Sequence, residues 1–297
     1  MTNLLSVVIP AYNEEVSLET YLPEVINHCK RNNYTLIIVN DGSKDKTAEI
    51  LKKYEGEATL KVVTHKVNRG YGGAIKSGIK SATTDFVITI DADGQHYLED
   101  IGKLLDATIK EDADMLIGSR KGNKGQDWYR SLGKHLIRSI ARAMVKMNIY
   151  DLNSGMKLYN TKLAQKYLKL CPDSMAYSDV IALLFINLGH KVEERPIRIK
   201  ERIGGVSTIS TMTAVETIKE ILNVVVLMNP MRLFAPLGMF FILVAIAWDI
   251  PIFIKSLEDP TIDGVSVGAL LLFMTGLILF MFGFIAEQLA LIRKNQI

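Results

Sequence analysis

The residues best suited to chemistry lie in Val87-Ile88-Thr89-Ile90-Asp91-Ala92-Asp93-Gly94-Gln95-His96. A β-branched run leads there into a pair of carboxylates one residue apart. Such a run ending in a polar loop reads as a buried strand that delivers a site at its carboxyl end. In a loop, Asp91 and Asp93 can converge on one point, with the neutral oxygen of Gln95 beside them. Hard oxygen ligands of this kind suit Mg2+ or Mn2+, which bind one or two carboxylates plus substrate phosphates. The same letters also write an Asx-turn, because Asp and Gly are ordinary turn residues.

The elements around this stretch bear on that choice. Residues 4–9 are an apolar run with β-branched members, followed by Pro10-Ala11-Tyr12-Asn13-Glu14-Glu15 and a helix to about Cys29. Residues 36–39 form a second strand that ends in Asn40-Asp41-Gly42-Ser43. Ser43 or Asp45 can cap the next helix, to about Tyr54. Residues 60–64, 86–90 and 115–118 are further strands, the last ending in Ser119-Arg120. Alternating strands and helices imply an α/β fold with a doubly wound, mostly parallel sheet. Ligands of such sheets lie beyond the carboxyl ends of the strands. Pro10, Tyr12 and Glu14, then Asp41, then Asp91 and Asp93 all fall at strand ends. Polar clusters gathered on one rim argue for a site rather than for turn chemistry alone. The loop Asn68-Arg69-Gly70-Tyr71-Gly72-Gly73 matches neither the P-loop nor a strict dinucleotide fingerprint. It reads equally as a phosphate contact or as tight packing at a helix start.

The chain has 297 residues, enough for one large domain and an appendage. A net charge of +3 gives no reason to expect nucleic acid. Residues 118–148, however, hold eight Lys/Arg and one acid, Asp127. Arg130, Lys134, Arg138, Arg142 and Lys146 recur every four residues along a helix expected over 128–147, a slowly rotating basic stripe. It is either a solvated face or a surface for anionic headgroups or a lipid phosphate. Cys29 and Cys171 lack metal-ligand spacing and read as buried reduced thiols. The first residues lack the pattern of a signal peptide. Residues 191–199 alternate around Pro196, as an edge strand would. Thr213-x-x-Glu216 is a capping box that opens an amphipathic helix.

Residues 233–254 and 265–286 are each 22 residues long, about 33 Å as a helix. The first carries one charge, Asp249, within two turns of its end and within reach of the interface. The second carries none. Arg232 precedes the pair, and Arg293 and Lys294 follow it. By the positive-inside rule both flanks are cytoplasmic and the intervening loop lies outside. The expected organisation is therefore a cytosolic domain over 1–210, an amphipathic juxtamembrane helix over 211–231 and a transmembrane hairpin over 232–297. The location is a cell membrane, multi-pass, with both termini inside.

The ordered segments Val-Ile-Pro-Ala-Tyr-Asn-Glu-Glu, Val-Asn-Asp-Gly-Ser, Asn-Arg-Gly-Tyr-Gly-Gly-Ala and Asp-Ala-Asp-Gly-Gln resemble glycosyltransferase family 2. Within it the chain looks like the polyprenyl-phosphate hexosyltransferases, such as dolichyl-phosphate mannose synthase and undecaprenyl-phosphate glucosyltransferases. The resemblance covers roughly residues 4–207. It implies a nucleotide-sugar-binding domain of the GT-A type. Pro10, Tyr12, Glu14, Val39 and Asp41 match nucleotide-binding positions. Asp91, Ala92 and Asp93 match the donor-diphosphate and metal motif, and Gln95 an accessory metal ligand. Arg120 and Arg130 match cations that hold the lipid phosphate, and Lys134 falls where a related enzyme has a serine ligand. Arg202 matches a cation that reaches the donor phosphates. Thr208 stands where relatives often carry a lysine. The Gln-x-x-Arg-Trp motif of processive synthases is missing, which counts against polymerisation.

The implied reaction is metal-dependent, inverting transfer of a hexose from UDP- or GDP-sugar to dolichyl or undecaprenyl phosphate. Asp93, Arg120 and Arg130 would carry the chemistry. A phosphate monoester is ionised near neutral pH and has little need of a general base. It needs cations, and Arg fits phosphate by bidentate geometry. Asp179 would then orient rather than catalyse. Two alternatives remain: transfer to a lipid hydroxyl such as diacylglycerol, with Asp179 as base, and a non-catalytic nucleotide-sugar-binding protein. Glucose, mannose and N-acetylglucosamine are all open as the sugar, and the hairpin is compatible with a homo-oligomer.

Overall fold

The computed structural model describes residues 4–120, 149–201, 226–259 and 264–296, with Lys219, Leu222 and Asn223 between them. The chain divides into two compact units, Met1–Ile221 and Leu222–Ile297. The expected helix over 128–147, with Arg130, Lys134 and the rest of the basic stripe, lies outside the described residues. So do Arg202, Thr208 and the capping box.

In the first unit the elements run β1 (Leu5–Ala11), α1 (Glu15–Asn32), β2 (Thr35–Asn40), α2 (Thr47–Lys52), β3 (Leu60–Thr64), α3 (Tyr71–Ser81), β4 (Phe86–Thr89), α4 (Glu99–Glu111) and β5 (Met115–Ser119). Then come β6 (Lys157–Asn160), α5 (Thr161–Tyr167), α6 (Tyr177–Asn187) and β7 (Val192–Pro196). One seven-stranded sheet has the order β3-β2-β1-β4-β6-β5-β7. β1 to β4 are parallel, as are β5 and β7. β6 runs against both its neighbours. The sheet is thus mixed, and β7 is the edge strand that Pro196 implied.

Helices on the sheet explain why β1 and β2 read as continuous apolar runs instead of alternating ones. Leu5, Val7, Ile9, Leu36 and Ile38 are fully buried against Leu18, Leu22 and Val25 of α1. On the other side α3 approaches closely enough that a Cβ on Gly78 would sit 3.2 Å from Val39 Cγ2. Both cysteines are free and buried. The chain goes outward from β1 to β2 to β3, then returns to place β4 on the other side of β1. That reversal opens a crevice beyond the ends of β1 and β4, where ligands of open α/β sheets bind.

α2 starts two residues later than Asp45, which does not act as its N-cap. Asp45 Oδ1 accepts the Thr47 N–H at 3.0 Å, and Oδ2 accepts the Glu15 N–H at 3.1 Å. Ser43 Oγ accepts the Asn13 N–H at 3.1 Å. These side chains knit the loops after β1 and β2 together.

The second unit holds α7 (Met231–Glu258) and α8 (Val267–Gln296). Both are long and apolar enough to cross a membrane, with mean hydropathies of 2.3 and 2.5 over their best windows. They pack through small residues. A Cβ on Gly276 would sit 2.8 Å from Gly238 O, and one on Gly238 would sit 2.9 Å from Gly276 O. Such backbone approach is typical of helix pairs in lipid. Asp249 Oδ1 accepts the Ser266 N–H at 2.9 Å, tying the start of α8 to α7.

Candidate active site

Four segments converge on the rim of the crevice. The first follows β1, where Tyr12 is 42% exposed. Asp41, just past β2, lies alongside it, because its N–H donates to Ala11 O at 2.9 Å. Asp41 itself is buried. Glu14 Oε2 accepts the Ser17 hydroxyl at 2.8 Å. Val39 is fully buried below the rim. It has only its backbone to offer a ligand, whereas Pro10 is half-buried.

The second segment follows β4. The Ile90 N–H still donates to Val8 O at 3.0 Å, and the chain then leaves the sheet. Asp93 is buried, and its Oδ1 accepts the Gln95 N–H at 3.1 Å across Gly94, whose φ is +73°. The Asx-turn is therefore real, and it aims the carboxylate. Asp91 is about a third exposed. Its Oδ1 accepts the Tyr71 hydroxyl at 3.0 Å, and His96 Nε2 lies 3.5 Å from Oδ2. Burial raises the Asp91 carboxyl. The hydrogen bonds from His96 and Tyr71 and the charge of Arg120 outweigh burial and hold it below its ordinary value.

The third segment, residues 149–156, reaches the rim because β6 is antiparallel: its start, not its end, lies beside Thr89. Thr89 Oγ1 donates to Gly155 O at 2.9 Å. A Cβ on Gly155 would sit 2.7 Å from Asp91 Cγ. At the other end of this segment Glu194 of β7 accepts the N–H groups of Tyr150 and Asp151, at 2.9 and 2.8 Å. Asp151 in turn takes the Arg120 guanidinium, with Nε to Oδ2 and Nη2 to Oδ1 both at 2.7 Å. Arg120 Nη2 also reaches Asn153 O at 3.0 Å. Nη1 of Arg120 has no hydrogen bond among the described residues.

Beneath this loop lies Lys157, fully buried. Its Nζ donates to Leu152 O at 2.6 Å, to Ser154 O at 2.8 Å and to Ser178 O at 2.8 Å, and it also meets the Ser178 hydroxyl. Asp179, one residue on, is also buried. Burial pushes Lys157 down and Asp179 up, and each opposes the other's shift as an opposite charge.

The fourth segment follows β7. Ile197 N donates to Ser119 O at 2.9 Å, and Lys200 N donates to Gln95 O at 2.8 Å. Gln95 Nε2 donates to Lys200 O at 3.4 Å. The guanidinium of Arg198 lies 4.2 Å from the centre of the Tyr97 ring, and Lys200 Nζ 4.9 Å from it. This chain lies across the carboxylate loop, one residue short of Arg202.

Among the described residues, Asp91, Asp151 and Asp179 act on two cations of the site, Arg120 and Lys157, and Asp93 adds a further carboxylate in the loop of Asp91. An excess of negative charge in a buried place suits a divalent cation. The oxygens of Asp91, Asp93 and Gln95 are the hard donors Mg2+ or Mn2+ takes. No group of three His, Cys, Asp or Glu forms a complete cage among the described residues. Sequence reasoning put Asp91, Asp93 and Asp41 on the rim, and gave no role to Tyr71, His96, Asp151 or Lys157. The readable signal was Lys157, a charge between apolar neighbours in a short strand.

Fold and site define a sugar-transferring enzyme with a GT-A-like sheet. Residues 6–168 match the family model "Glycosyl transferase family 2", and residues 229–292 match "GtrB C-terminal hairpin". The chain belongs to glycosyltransferase family 2, and it is a glycosyltransferase with an apolar, membrane-associated hairpin. It is 30% identical to the undecaprenyl-phosphate 4-deoxy-4-formamido-L-arabinose transferase of Proteus mirabilis, over 80% of this chain and 72% of that one. It is 31% identical to the dolichol-phosphate mannosyltransferase of Pyrococcus furiosus, over 73% of this chain and 62% of that one. The glucosyl-3-phosphoglycerate synthase of Mycobacterium tuberculosis, crystallised with Mg2+ and uridine diphosphate, shares the fold with a TM-score of 0.59 at 16% identity, over 75% of this chain and 79% of that one.

Proposed function

We propose that this chain transfers a hexose from a nucleoside-diphosphate sugar, UDP- or GDP-linked, to a polyprenyl phosphate at the cytoplasmic face of a membrane, inverting the anomeric carbon. One observation carries the reading: the carboxylate loop Asp91–Asp93 sits at the crevice between β1 and β4, beside Arg120, on a chain that ends in an apolar hairpin. The names of the Proteus and Pyrococcus relatives, both acting on polyprenyl phosphates, support the acceptor class.

The nucleoside would lie against Pro10, Tyr12, Glu14, the Val39 backbone and Asp41. The diphosphate would lie against Asp91, Ala92, Asp93 and Arg202. A bound Mg2+ or Mn2+ on Asp91, Asp93 and Gln95 would supply Lewis-acid neutralisation of the leaving diphosphate. Arg120, through Nη1, would share the acceptor phosphate with Arg130 and Lys134. A phosphate oxygen then attacks the anomeric carbon as the bond to the nucleoside diphosphate breaks on the opposite side. The attacking phosphate is already ionised, so positioning and charge matter more than a proton acceptor. Arg232 before the hairpin, and Arg293 and Lys294 after it, favour a cytoplasmic domain and cytoplasmic termini.

Asp179 supports a second reading, transfer to a lipid hydroxyl, because it is a buried carboxylate with a raised pKa close to the site. The test incubates the full-length protein in membranes with labelled UDP- and GDP-sugars and either polyprenyl phosphate or diacylglycerol. Label should enter lipid only with the polyprenyl phosphate and only with a divalent ion. Label in diacylglycerol alone overturns the proposal.

A further inference from the structure

Behind the nucleoside side of the crevice runs a buried chain of side chains that the transfer reaction does not by itself require. Asp41 Oδ1 accepts the backbone N–H of Arg69 at 2.9 Å. The same oxygen lies 2.6 Å from His65 Nδ1. On the far side of the ring, His65 Nε2 lies 2.8 Å from Ser77 Oγ on α3. His65 and Asp41 expose 6% and 3% of their side chains, so water competes little for these bonds.

The direction of each bond follows from what each atom can do. Oδ1 already receives an obligate donor, the Arg69 N–H, so it is an acceptor and Nδ1 must donate to it. In the neutral ring Nε2 then carries a lone pair, and the Ser77 hydroxyl donates to it. Ser77 thereby selects the ring tautomer that holds Asp41. With Oδ1 taking two donors, the remaining acceptor of the carboxylate is Oδ2, which has no hydrogen bond among the described residues. The N–H of Asp41 is bonded to Ala11 O, and Tyr12, the next residue, offers an exposed ring. An aromatic face beside an acceptor suits a stacked base whose edge carries an N–H.

We propose that Ser77 and His65 are positioning residues that lock Asp41 with Oδ2 outward, so that the site takes a nucleobase with a ring N–H and rejects one with a ring lone pair there. Uracil and guanine present such an N–H. Cytosine and adenine present a lone pair, which would face the carboxylate. A site built around a buried hydrogen bond rejects a mismatched partner strongly, because its own polar group is left unpaired. The inference rests on the nucleotide-sugar reading given above.

Two near-isosteric variants test it. In His65→Asn the amide nitrogen takes the place of Nδ1 and keeps the donor to Asp41. In His65→Gln the amide reaches toward the place of Nε2 and leaves Asp41 without that donor. The full-length protein in detergent with Mg2+ is titrated calorimetrically with UDP, GDP, CDP and ADP, and thermal unfolding of each variant is recorded. The wild type should prefer UDP or GDP. His65→Gln should lose about ten- to a hundredfold of that affinity and narrow the preference over CDP, as for one charged hydrogen bond. His65→Asn should recover most of both. Unchanged binding in His65→Gln, or equal damage in the two variants, overturns the relay and leaves the nucleotide reading standing. A wild type that prefers CDP or ADP overturns the outward Oδ2. A wild type that binds none of the four overturns the nucleotide reading itself, and the relay with it.

Discussion

Arg120 and Asp151 meet edge to edge, with Nε to Oδ2 and Nη2 to Oδ1 both at 2.7 Å. The Arg120 backbone N–H adds a third bond to Oδ2 at 3.0 Å. The pair joins the end of β5 to the loop before β6, and it aims Nη1 of Arg120, which has no hydrogen bond among the described residues. A single Arg–carboxylate contact on a surface would be worth little, but Asp151 is 9% exposed.

The pair makes the domain acid-sensitive. Burial raises Asp151, and the bonds and charge of Arg120 more than reverse that, so the folded carboxyl lies below its ordinary value. Asp45 and Asp100 are lowered too: burial raises both, but bonds from Thr47 outweigh it at Asp45, and those from Lys103 and Arg198 at Asp100. In each case the unfolded chain binds a proton at a higher pH than the folded one. Their contribution is complete above the unfolded value, near pH 4, and is lost as pH falls through the depressed folded values. Thermal midpoints should drop as pH falls from about 4 toward 3, whereas between pH 7 and 5 the raised Asp179 carboxyl acts in the opposite sense. Asp151→Asn should be less stable by about 3 kcal/mol at neutral pH, because it strands Arg120. Its deficit should shrink at pH 3; a constant deficit would contradict the assignment.

Gly155 is required by contact, not by conformation. A Cβ there would meet Asp91 Cγ at 2.7 Å and Oδ1 at 2.9 Å. Gly155→Ala must push the carboxylate or the loop aside. A displacement near 1 Å at a reacting centre can cost about a hundredfold in rate. Turnover should fall by that order, with a higher divalent-ion requirement and a thermal midpoint only a few degrees lower. Wild-type metal dependence in this variant would mean Asp91 has room that the geometry denies it.

The parts of the site that the sequence revealed are those that follow parallel strands. Asp41 and Asp91 follow β-branched runs, Arg120 follows the apolar run Met115-Leu116-Ile117, and strand direction follows from the alternation with helices. Residues 151–158 read as a turn into a strand, but nothing in Lys157-Leu158-Tyr159-Asn160 tells an antiparallel strand from a parallel one, so their place on the rim is not legible. Reversal puts the start of β6 on the rim, bringing Asp151, Gly155 and Lys157 with it. Tyr71 and His96 are not legible for another reason: their approach to Asp91 exists only after folding. The helix carrying Asp249 runs on to Glu258, beyond the expected end at Ile254, and the partner of Asp249, Ser266, lies across the turn to α8.

Lys157 should matter to stability more than an ordinary surface lysine. Its ammonium, fully buried, satisfies the carbonyls of Leu152, Ser154 and Ser178. Lys157→Met keeps the length and volume but leaves those acceptors unpaired, at about 1–3 kcal/mol each. Urea unfolding should show a loss of about 3–5 kcal/mol, softened where the loop opens to water. A stable variant would show that the loop holds its shape without the cation.

The hairpin orientation has a direct test. Glu258 ends α7 and is exposed. By charge bias it faces away from the cytoplasm. In Glu258→Cys, with Cys29 and Cys171 buried, an impermeant thiol reagent should label intact cells from outside. Labelling only after the membrane is opened would reverse the topology.

The acceptor class turns on Asp179 and the cations. Asp179 is in the first turn of α6, is 2% exposed, and feels the opposite charge of Lys157, with Asp151 and Arg120 close enough to bias it. If the acceptor is a hydroxyl, a base must take its proton, and Asp179→Asn should cost at least a hundredfold in turnover. If the acceptor is a phosphate, the same change mainly disturbs the charge balance around Lys157, and the loss should stay within about tenfold. Arg130→Ala should then weaken acceptor use by about ten- to a hundredfold, the worth of one charged hydrogen bond, with donor affinity nearly unchanged. Arg130→Lys should recover only part, because an ammonium lacks the bidentate fork. Steady-state kinetics with donor and acceptor varied separately decide between the two. Abolished turnover in Asp179→Asn, with Arg130→Ala unaffected in acceptor dependence, would put a lipid hydroxyl in place of the phosphate.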